Sequence, residues 1–435
     1  MIRINPFNLG FGQILPRAAF LSAPAAVCLV PIILLLHVGL AAAYSGAVID
    51  AATEQPIAGA IVTLGSSSVR TDSEGAFQID GLGTHLGFRA YGYLRDERAL
   101  PVPDRNALEI SLRPFSPRAV FLSLRAFADP QLRDKLAGLH EATRINALVI
   151  DFKDDHGALL VGGPFSAIVR NARRRDIRTM DLKAMLRHLH DNGTYAIARI
   201  VVFKDDLLVR THPDLALKGD DGIVLRENDR IAWADPRKKS VRDYNLAIAI
   251  TAADLGFDEI QFDYIRFPVV SAPARISWTE YSDTRRAAIR GFLAEARTRL
   301  APYNVFVAAD IFGYASWDRG DTNIGQNLED IAAEVDYVCP MLYPSSFRKG
   351  IPASPMPLNQ PDKIVNLSLQ HAQQRTGLPR VRFRPWLQAF ADFNFDRRSF
   401  GRSEIGLQTT AADDFGSDGW MLWQPHSIYS AEDMP

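Results

Sequence analysis

The stretch FDEIQFDYIRFP, residues 257–268, has the apolar residues of a buried β-strand but carries an acid near its end. Successive side chains of a strand point to opposite faces, so Gln261 and Asp263 share one face of it. Phe262 and Tyr264 share the other face. If Phe262 points to covering helices, Asp263 points to the inner side of the sheet, where a carboxylate needs a partner or a function. We therefore interpret Asp263 as a catalytic residue.

Similar strand-like runs alternate with amphipathic helical segments over residues 119–435. The eight runs span 119–127, 147–155, 194–203, 259–267, 305–314, 337–345, 381–390 and 419–425. Between them lie segments such as DLKAMLRHLHDNG, with apolar residues at three- and four-residue spacing. This rhythm predicts an α/β fold, a (β/α)8 TIM barrel. An open doubly wound sheet is the alternative, but RAFADP follows the first strand where that fold has a glycine-rich turn.

Residues 44–112 contain short β-runs separated by turn residues, which predicts a small all-β domain before the barrel. The runs SGAVIDAATEQPIAGAIVTL and RTDSEGAFQI resemble the carboxypeptidase regulatory-like family, a β-sandwich. Gly59 and Gly75 fall where that family turns, and Asp72 and Gly75 keep its T-D-x-x-G-x-F signature. The resemblance implies an accessory or spacer module without catalytic residues. The prolines of RPFSP indicate a stiff linker over residues 113–118.

The N-terminal segment has the features of an export signal. Arg3 and Arg17 precede an apolar run that contains no acidic residue and ends in three alanines, a pattern that signal peptidase accepts. We predict a cleaved signal peptide over residues 1–43, with a membrane anchor through residues 19–43 as the alternative. Either case predicts an exported protein that is periplasmic, extracellular or membrane-anchored. After cleavage Cys339 is the only cysteine, so no intramolecular disulfide is expected.

The overall charge argues against a polyanionic partner. The 435 residues include 49 Lys and Arg and 50 Asp and Glu, for a formal net charge of −1, so we do not expect nucleic-acid binding. The strands lack the paired histidines of a barrel metallohydrolase, and the chain has no G-x-S-x-G elbow. We predict neither a metal site nor a cofactor, and a metal-dependent hydrolase is a distant alternative. No motif indicates an oligomeric state.

Acidic and aromatic residues stand at the carboxyl ends of the predicted strands, where a TIM barrel has its active site. Carboxyl groups ringed by aromatic side chains suit a sugar, because pyranose faces stack on aromatic rings and paired carboxyl groups cleave glycosidic bonds. We predict Asp263 as the nucleophile or base and Asp310 as the general acid. The predicted substrate-binding residues are Asp151, Lys153, Arg199, Lys204, Tyr264, Arg266, Tyr343, Trp386, Gln388 and Trp423.

Structural roles compete with these functional ones. The alternation of strand side chains predicts that Asp151 and Lys153 both face inward, where Asp151 could equally form a salt bridge to Lys153 or Arg199. Trp386 and Trp423 could pack in the core of the barrel instead of stacking on sugar. A single acid at the end of a strand is also often a helix cap.

Several stretches resemble, in order and spacing, a family of glycoside-hydrolase-like TIM barrels from bacterial genomes that was long catalogued as a domain of unknown function. They include NALVIDFKDDHG, AWADPRKKSVRDYN, LGFDEIQFDYIRFP, ADIFGY, IGQNLEDIAAEVDYVCPMLYPS, RPWLQAF and DGWMLWQ, within residues 118–423. The resemblance implies a barrel distantly similar to α-amylase and chitinase-like enzymes, with a carbohydrate substrate.

Two departures limit what transfers from those enzymes. Where chitinases of the D-x-x-D-x-D-x-E type end this strand in a catalytic Glu, the chain has Ile265, which argues against substrate-assisted chemistry. Amylase-like enzymes have an Arg two residues before the nucleophile and a Glu after the next strand, whereas this chain has Gln261 and Asp310.

We predict an exported glycoside hydrolase of a polysaccharide or cell-envelope glycan. A non-catalytic carbohydrate-binding or envelope-scaffold protein is the alternative.

Overall fold

The computed structural model of the protein describes residues 42–102, 105, 108–161, 181–269 and 282–434. The predicted signal peptide or anchor, apart from its last two residues, lies outside these ranges. Among the described residues, no helix has both the length and the apolar character needed to cross a bilayer.

Seven strands precede the barrel in the part of the chain that the structure describes. They are β1 Ala42–Asp50, β2 Ile61–Leu64, β3 Ser67–Arg70, β4 Ala76–Gly81, β5 His85–Arg89, β6 Asp96–Ala99 and β7 Leu108–Leu112. They form a three-stranded sheet in the order β4-β1-β7 and a four-stranded sheet in the order β3-β2-β5-β6. The two sheets share one apolar core, in which the rings of Phe77 and Phe88 meet edge to face with centroids 5.6 Å apart.

The turn before β4 follows from its sequence, TDSEG. The Asp72 side chain accepts hydrogen bonds from the backbone N–H groups of Glu74 and Ala76, at 3.0 and 2.8 Å. Gly75 has a φ of 70°, and a Cβ there would lie 2.5 Å from the carbonyl oxygen of Val48. Both the conformation and the space therefore require glycine at this position.

Eight parallel strands form the barrel and occur in the predicted order. They are β8 Arg118–Leu122, β9 Ala147–Lys153, β10 Tyr195–Val201, β11 Glu259–Asp263, β12 Phe306–Phe312, β13 Tyr337–Met341, β14 Trp386–Gln388 and β15 Trp420–Trp423. β15 pairs with β8 and closes the sheet, which confirms the TIM barrel and excludes the open doubly wound sheet. Most strands are shorter than the predicted runs. After β8, Ser123 caps a helix by accepting from the backbone of Ala126, so the run 119–127 is only partly strand.

Helices cover the outside of the barrel. They are α1 Leu124–Ala128, α2 Pro130–Ala137, α3 Leu139–Ala142, α4 Leu182–Asp191, α5 Asp206–Thr211, α6 Lys239–Leu255, α7 Ser282–Leu300, α8 Leu328–Ala332, α9 Pro361–Thr376 and α10 Arg402–Phe415. Phe262 of β11 packs edge to face on Phe292 of α7, with ring centroids 5.0 Å apart. Because Phe262 faces the helices, its neighbours Gln261 and Asp263 face the barrel interior, as the alternation predicts.

Side chains fill the inside of the barrel. The buried interior includes Phe121, Tyr337, Cys339 and Met421. The amide nitrogen of Gln261 lies 3.6 Å from the Cys339 sulfur and 3.2 Å from the Met421 sulfur, so the mid-level of the barrel is a packed core.

The amino end of the barrel is closed by buried ion pairs. Arg384 donates to Glu259 at 2.5 Å and to Asp418 at 2.9 Å, and its guanidinium lies 4.0 Å from the ring centroid of Tyr337. Such pairs at the end opposite the active site are expected to serve stability.

The N-terminal sheets pack on this amino end. Arg95 forms an ion pair with Asp258, which precedes β11, at 3.1 Å. Phe115 stacks on Tyr195, the first residue of β10, with centroids 5.6 Å apart, and Asn304 donates to the backbone oxygen of Asp96. The carboxyl ends of the barrel strands are consequently left uncovered by these sheets.

Candidate active site

Arg199, on β10, joins two carboxylates at the carboxyl end of the barrel. Its Nη1 donates to Asp151 Oδ1 at 2.5 Å, and its Nε and Nη2 donate to Asp263 Oδ2 at 3.0 and 2.6 Å. All three side chains are buried. Burial opposes the charge of the guanidinium, but Asp151 and Asp263 hold the pKa of Arg199 well above its ordinary value. One positive group thus compensates two acids.

Asp151 is the most clearly perturbed acid of this group. Burial raises its pKa to about 7, although Arg199 acts in the opposite direction. Asp154 and Asp155 contribute further to the rise. Asp151 therefore exchanges a proton near neutral pH, as a general acid or base does.

Asp263 is fixed by the backbone that follows it as well as by Arg199. Its Oδ1 accepts from the backbone N–H of Tyr264 at 2.6 Å. Tyr264 has a φ of 50°, in the left-handed region, which is unusual for an aromatic residue and characteristic of functional sites. This conformation ends the alternation, so Tyr264 lines the site instead of sharing the helix-facing side of Phe262.

Two cavities lie over these residues. The outer cleft, about 560 Å³, is lined by Phe121, Ser123, Leu124, Arg125, Ala126, Asp129, Leu132, Asp151, Asp154, Asp155, Arg199, Tyr264, Trp423, Pro425, His426 and Ile428. The inner pocket, about 130 Å³, is lined by Arg199, Asp263, Tyr264, Arg266, Phe312, Gln326, Met341, Tyr343, Trp386 and Trp423. They share Arg199, Tyr264 and Trp423, so the guanidinium that joins the two acids lies at their boundary.

Aromatic rings line both cavities. Trp423 stacks on Phe121 with centroids 4.1 Å apart, and it meets Trp386 edge to face at 5.4 Å. The Arg199 guanidinium lies 4.9 Å from the Trp423 centroid. Trp423 stays partly exposed, whereas Trp386 is only 1% exposed. Trp423 thus keeps ring surface accessible to both cavities, and Trp386 mainly closes the inner pocket.

Asp310 lies behind this surface. It is 1% exposed, lines neither cavity, and accepts from the indole Nε1 of Trp386 at 2.8 Å through Oδ1. Within the described residues, its Oδ2 has no hydrogen-bond partner. Burial, and then the charge of Asp263, raise the pKa of Asp310 well above its ordinary value, which disfavours its ionised form.

The family model described as "Putative glycosyl hydrolase domain" matches residues 119–429, which include all eight barrel strands apart from Arg118 and every residue of both cavities. The chain belongs to this glycosyl hydrolase family. A comparison with curated proteins finds no match.

Solved structures that are similar to this glycosyl hydrolase include a glycoside hydrolase domain, a hypothetical protein and a chitinase, and the first of these shares its fold. The PgaB (BpsB) glycoside hydrolase domain from Bordetella bronchiseptica matches 72% of this chain and 95% of its own, with 14% identity and a TM-score of 0.51. A hypothetical protein from Ruminiclostridium thermocellum is 33% identical over 44% of this chain and 96% of its own, with a TM-score of 0.39. A chitinase from Chromobacterium violaceum matches 72% and 96%, with 13% identity and a TM-score of 0.43.

The prediction that Lys153 lines the site of this glycosyl hydrolase is wrong. The pairing of β9 with β10 shifts by one residue, so that Arg199 pairs with Asp151 and the next residue, Ile200, pairs with Lys153. This bulge turns Lys153 away from Asp151. Its ammonium is fully buried, 2.7 Å from Asp205 and 2.8 Å from the amide oxygen of Asn245 in α6.

Gln388 is also not a substrate-binding residue. It is fully buried and lines neither cavity. Its amide donates to the Ser345 hydroxyl at 2.7 Å and accepts from the Ser345 backbone at 3.0 Å, which braces the loop after β13. Gln388 is the last residue of the short β14, which ends beside that loop, so both polar atoms of its side chain bond to protein groups.

Two predicted cationic residues have protein partners. Lys204 lines neither cavity, and its ammonium lies 2.5 Å from Asp229 and 4.7 Å from the Tyr264 centroid. Arg266 lines the inner pocket but forms a two-pronged ion pair with Glu227, at 2.8 and 3.3 Å. Lys204 therefore contacts the Tyr264 ring and lies outside both cavities. Arg266 is held by its ion pair and forms part of the wall of the inner pocket.

The sequence reasoning missed some residues of the cavities. Phe121 lies on the inward face of β8, so the alternation with its outward neighbours could have found it. Gln326 lines the inner pocket and binds the backbone at Phe312 and Asp310, at 2.9 and 3.3 Å. It lies in the IGQNLED motif, but neither a charge nor a regular spacing of residues there marks it as part of the site.

In the described ranges, no cluster of three or more His, Cys, Asp or Glu has metal-binding geometry.

Proposed function

We propose that the barrel hydrolyses O-glycosidic bonds of a polysaccharide or cell-envelope glycan. The observation that supports this most directly is the pair of buried acids, Asp151 and Asp263, held on one guanidinium where the outer cleft meets the inner pocket. Glycoside hydrolysis uses two carboxyl groups, one ionised and one protonated, on either side of the scissile bond. Trp423 supplies an aromatic surface for a sugar ring beside them.

Asp263 is proposed as the nucleophile or base. Arg199 donates two hydrogen bonds to one of its oxygens and the Tyr264 backbone donates to the other, so the carboxylate is oriented and its charge is compensated. Such an arrangement fixes the reacting oxygen without a rearrangement during the reaction. Asp310 was predicted as the general acid, and Asp151 is the second candidate for that role.

We further propose that the enzyme is exported and acts in the periplasm, outside the cell or at the membrane surface. The apolar segment of residues 18–43 supports this. The N-terminal sheets, which resemble a carboxypeptidase regulatory-like module in sequence, would act as a spacer. Their packing on the amino end of the barrel is consistent with that role, since the cleft at the other end stays open to a large glycan.

Product release from a panel of bacterial exopolysaccharides and cell-wall glycans tests the proposal. We expect new reducing ends from at least one glycan with the purified protein. Asp263→Asn should lower kcat by a hundredfold or more, the order typical of removing a catalytic proton-transfer or nucleophilic group (~10²-fold or more). The control is Asp214→Asn, an exposed acid that lines neither cavity.

One pattern of results would indicate a carbohydrate-binding protein instead of an enzyme. In that pattern the wild type releases no product from any glycan but binds one of them. Binding would also survive Asp263→Asn and Asp310→Asn together, because stacking on Trp423 does not need a reactive acid.

A further inference from the structure

We propose that Asp151 is the general acid of this glycoside hydrolase, and that the scissile bond lies across Arg199 at the boundary of the outer cleft and the inner pocket. The inference rests on the proposed function and assigns the acid within it. It differs from the assignment that the sequence alone suggests, which is Asp310.

Access to substrate separates the two candidates. A general acid has to come within hydrogen-bond distance of the glycosidic oxygen, directly or through one water. Asp151 lines the outer cleft, whereas Asp310 lines neither cavity and is bonded to Trp386, which closes the inner pocket. Asp151 can therefore reach a bound glycan, while Asp310 acts through Trp386.

The position of Asp151 relative to Asp263 fits the two roles. Asp263 lines the inner pocket, Asp151 lines the outer cleft, and Arg199 lines both. A glycan that extends from the pocket into the cleft passes Asp263 on one side of the boundary and Asp151 on the other. The anomeric carbon would lie beside Asp263, and the departing oxygen would lie beside Asp151.

The proposed step is balanced in atoms and charge. The C–O bond of the glycoside breaks, its electron pair goes to the departing oxygen, and that oxygen takes the proton of Asp151. The Asp263 carboxylate either bonds to the anomeric carbon or removes a proton from the attacking water. Water supplies the new hydroxyl group and, in the end, returns a proton to Asp151.

The charges around Asp151 are consistent with this role. Arg199 faces it from β10, and Asp154 and Asp155 follow it on the loop after β9. Burial raises its pKa to about 7 despite Arg199, so part of the protein carries the proton at neutral pH. The hydrogen bond from Arg199 goes to Oδ1. In the part of the chain that the structure describes, Oδ2 of Asp151 makes no hydrogen bond.

Asp310 is then a positioning residue. It orients the Trp386 indole through Oδ1, and burial together with the charge of Asp263 disfavours a negative charge on it. Loss of this hydrogen bond should change the fit of sugar in the inner pocket, and so KM, more than it changes proton donation.

The test compares Asp151→Asn with Asp310→Asn on the glycan found in the panel. The wild-type kcat/KM should fall as the pH rises through about 7, because Asp151 loses the proton that it must donate. We expect Asp151→Asn to lower kcat/KM by about a hundredfold and to abolish this decline. Asp310→Asn keeps an oxygen that can accept from the Trp386 indole, so it should keep the decline with little change in KM. Asp310→Ala removes this acceptor, so it should raise KM and keep the decline.

A second substrate set checks the role of the proton directly. Dinitrophenyl glycosides of glucose, galactose and N-acetylglucosamine release a phenolate that needs no proton, whereas unsubstituted phenyl glycosides need one. Asp151→Asn should retain activity on those dinitrophenyl glycosides that the wild type cleaves and lose it on the phenyl glycosides. Asp263→Asn should lose both. If Asp151→Asn does not fold, Asp151→Glu should keep the high-pH decline at a shifted pH.

The assignment is overturned if Asp151→Asn keeps the decline and the rate on the glycan, or if Asp310→Asn abolishes the decline. In either case hydrolysis by the wild type and its loss in Asp263→Asn would leave the proposed function intact. A wild type that hydrolyses none of the glycans or aryl glycosides would overturn both.

Discussion

Arg199 is the residue on which the arrangement of the site depends. Asp151 and Asp263 are both buried, and Arg199 is the only positive group among the described residues that pairs with both of them. Amylase-like enzymes supply an arginine from the same strand as the nucleophile, two residues before it. Here Gln261 occupies that position in β11, and the neighbouring strand β10 provides the arginine instead.

We expect Arg199→Ala to lower the free energy of unfolding by about 3–5 kcal/mol at pH 7, the range for breaking a buried ion pair. It should also lower kcat by a hundredfold or more, since Asp263 loses its orientation. Denaturant unfolding at pH 7 and pH 5 measures the first effect. The fall in the free energy of unfolding should be smaller at pH 5, because the unpaired acids are protonated more easily there.

The control for this prediction is Arg398→Ala, which removes an exposed ion pair with Asp396 and should change stability by less than about 1 kcal/mol. Equal destabilisation by Arg199→Ala and Arg398→Ala would contradict the central role of Arg199.

At the scale of elements, the alternation of strand side chains explains most of the site and fails where the backbone is irregular. It places Gln261 and Asp263 inward and Phe262 outward in β11. It fails for Lys153, because a bulge in β9 leaves no mark in the sequence. It fails for Tyr264, because the strand ends at Asp263 and the next residue is left-handed.

The position of Lys153 can be tested through stability. Lys153→Met leaves the buried Asp205 without its ammonium partner, so the free energy of unfolding should fall by about 3–5 kcal/mol. At a temperature where the variant is folded, KM for the glycan should stay within about twofold of the wild type, because Lys153 lies outside both cavities.

The double variant Lys153→Met with Asp205→Asn is the matched control, because it removes the unpaired charge and should recover part of the lost stability. Asp205→Asn alone keeps an oxygen that can accept from the Leu208 backbone. A large rise in KM for Lys153→Met, without a change in stability, would restore Lys153 to the binding site.

At the scale of the whole molecule, the two ends of the barrel have different roles. The carboxyl end holds the acids, the aromatic rings and both cavities. The amino end holds the ion pairs of Arg384 and receives the N-terminal sheets. This division matches the general behaviour of TIM barrels, in which polar residues at the amino end stabilise the fold.

We expect Arg95→Ala to weaken the contact between the N-terminal sheets and the barrel without changing catalysis. Arg95 donates to Asp258 at 3.1 Å and to the backbone oxygen of Gly256 at 3.2 Å, and both bonds are largely buried. Their loss should lower the free energy of unfolding by about 1–3 kcal/mol. Thermal unfolding and kcat/KM on the glycan measure the two effects.

Arg98→Ala serves as the control, because its ion pair with Asp96 lies at the surface and within the single strand β6. A fall in kcat/KM with Arg95→Ala, at a temperature where the variant is folded, would show that the sheets influence the cleft.

The barrel could be predicted from the sequence, because eight apolar runs alternating with amphipathic helices can bury their surfaces in few other ways. The inward direction of Asp263 and Asp310 could be predicted as well, since a regular strand alternates. Which acids meet depends on the packing of the folded chain. Asp151, Arg199 and Asp263 are far apart in the chain, and the register of β9, β10 and β11 brings them together. The same packing leaves Asp151 in the wall of the outer cleft and encloses Asp310 beside the Trp386 indole.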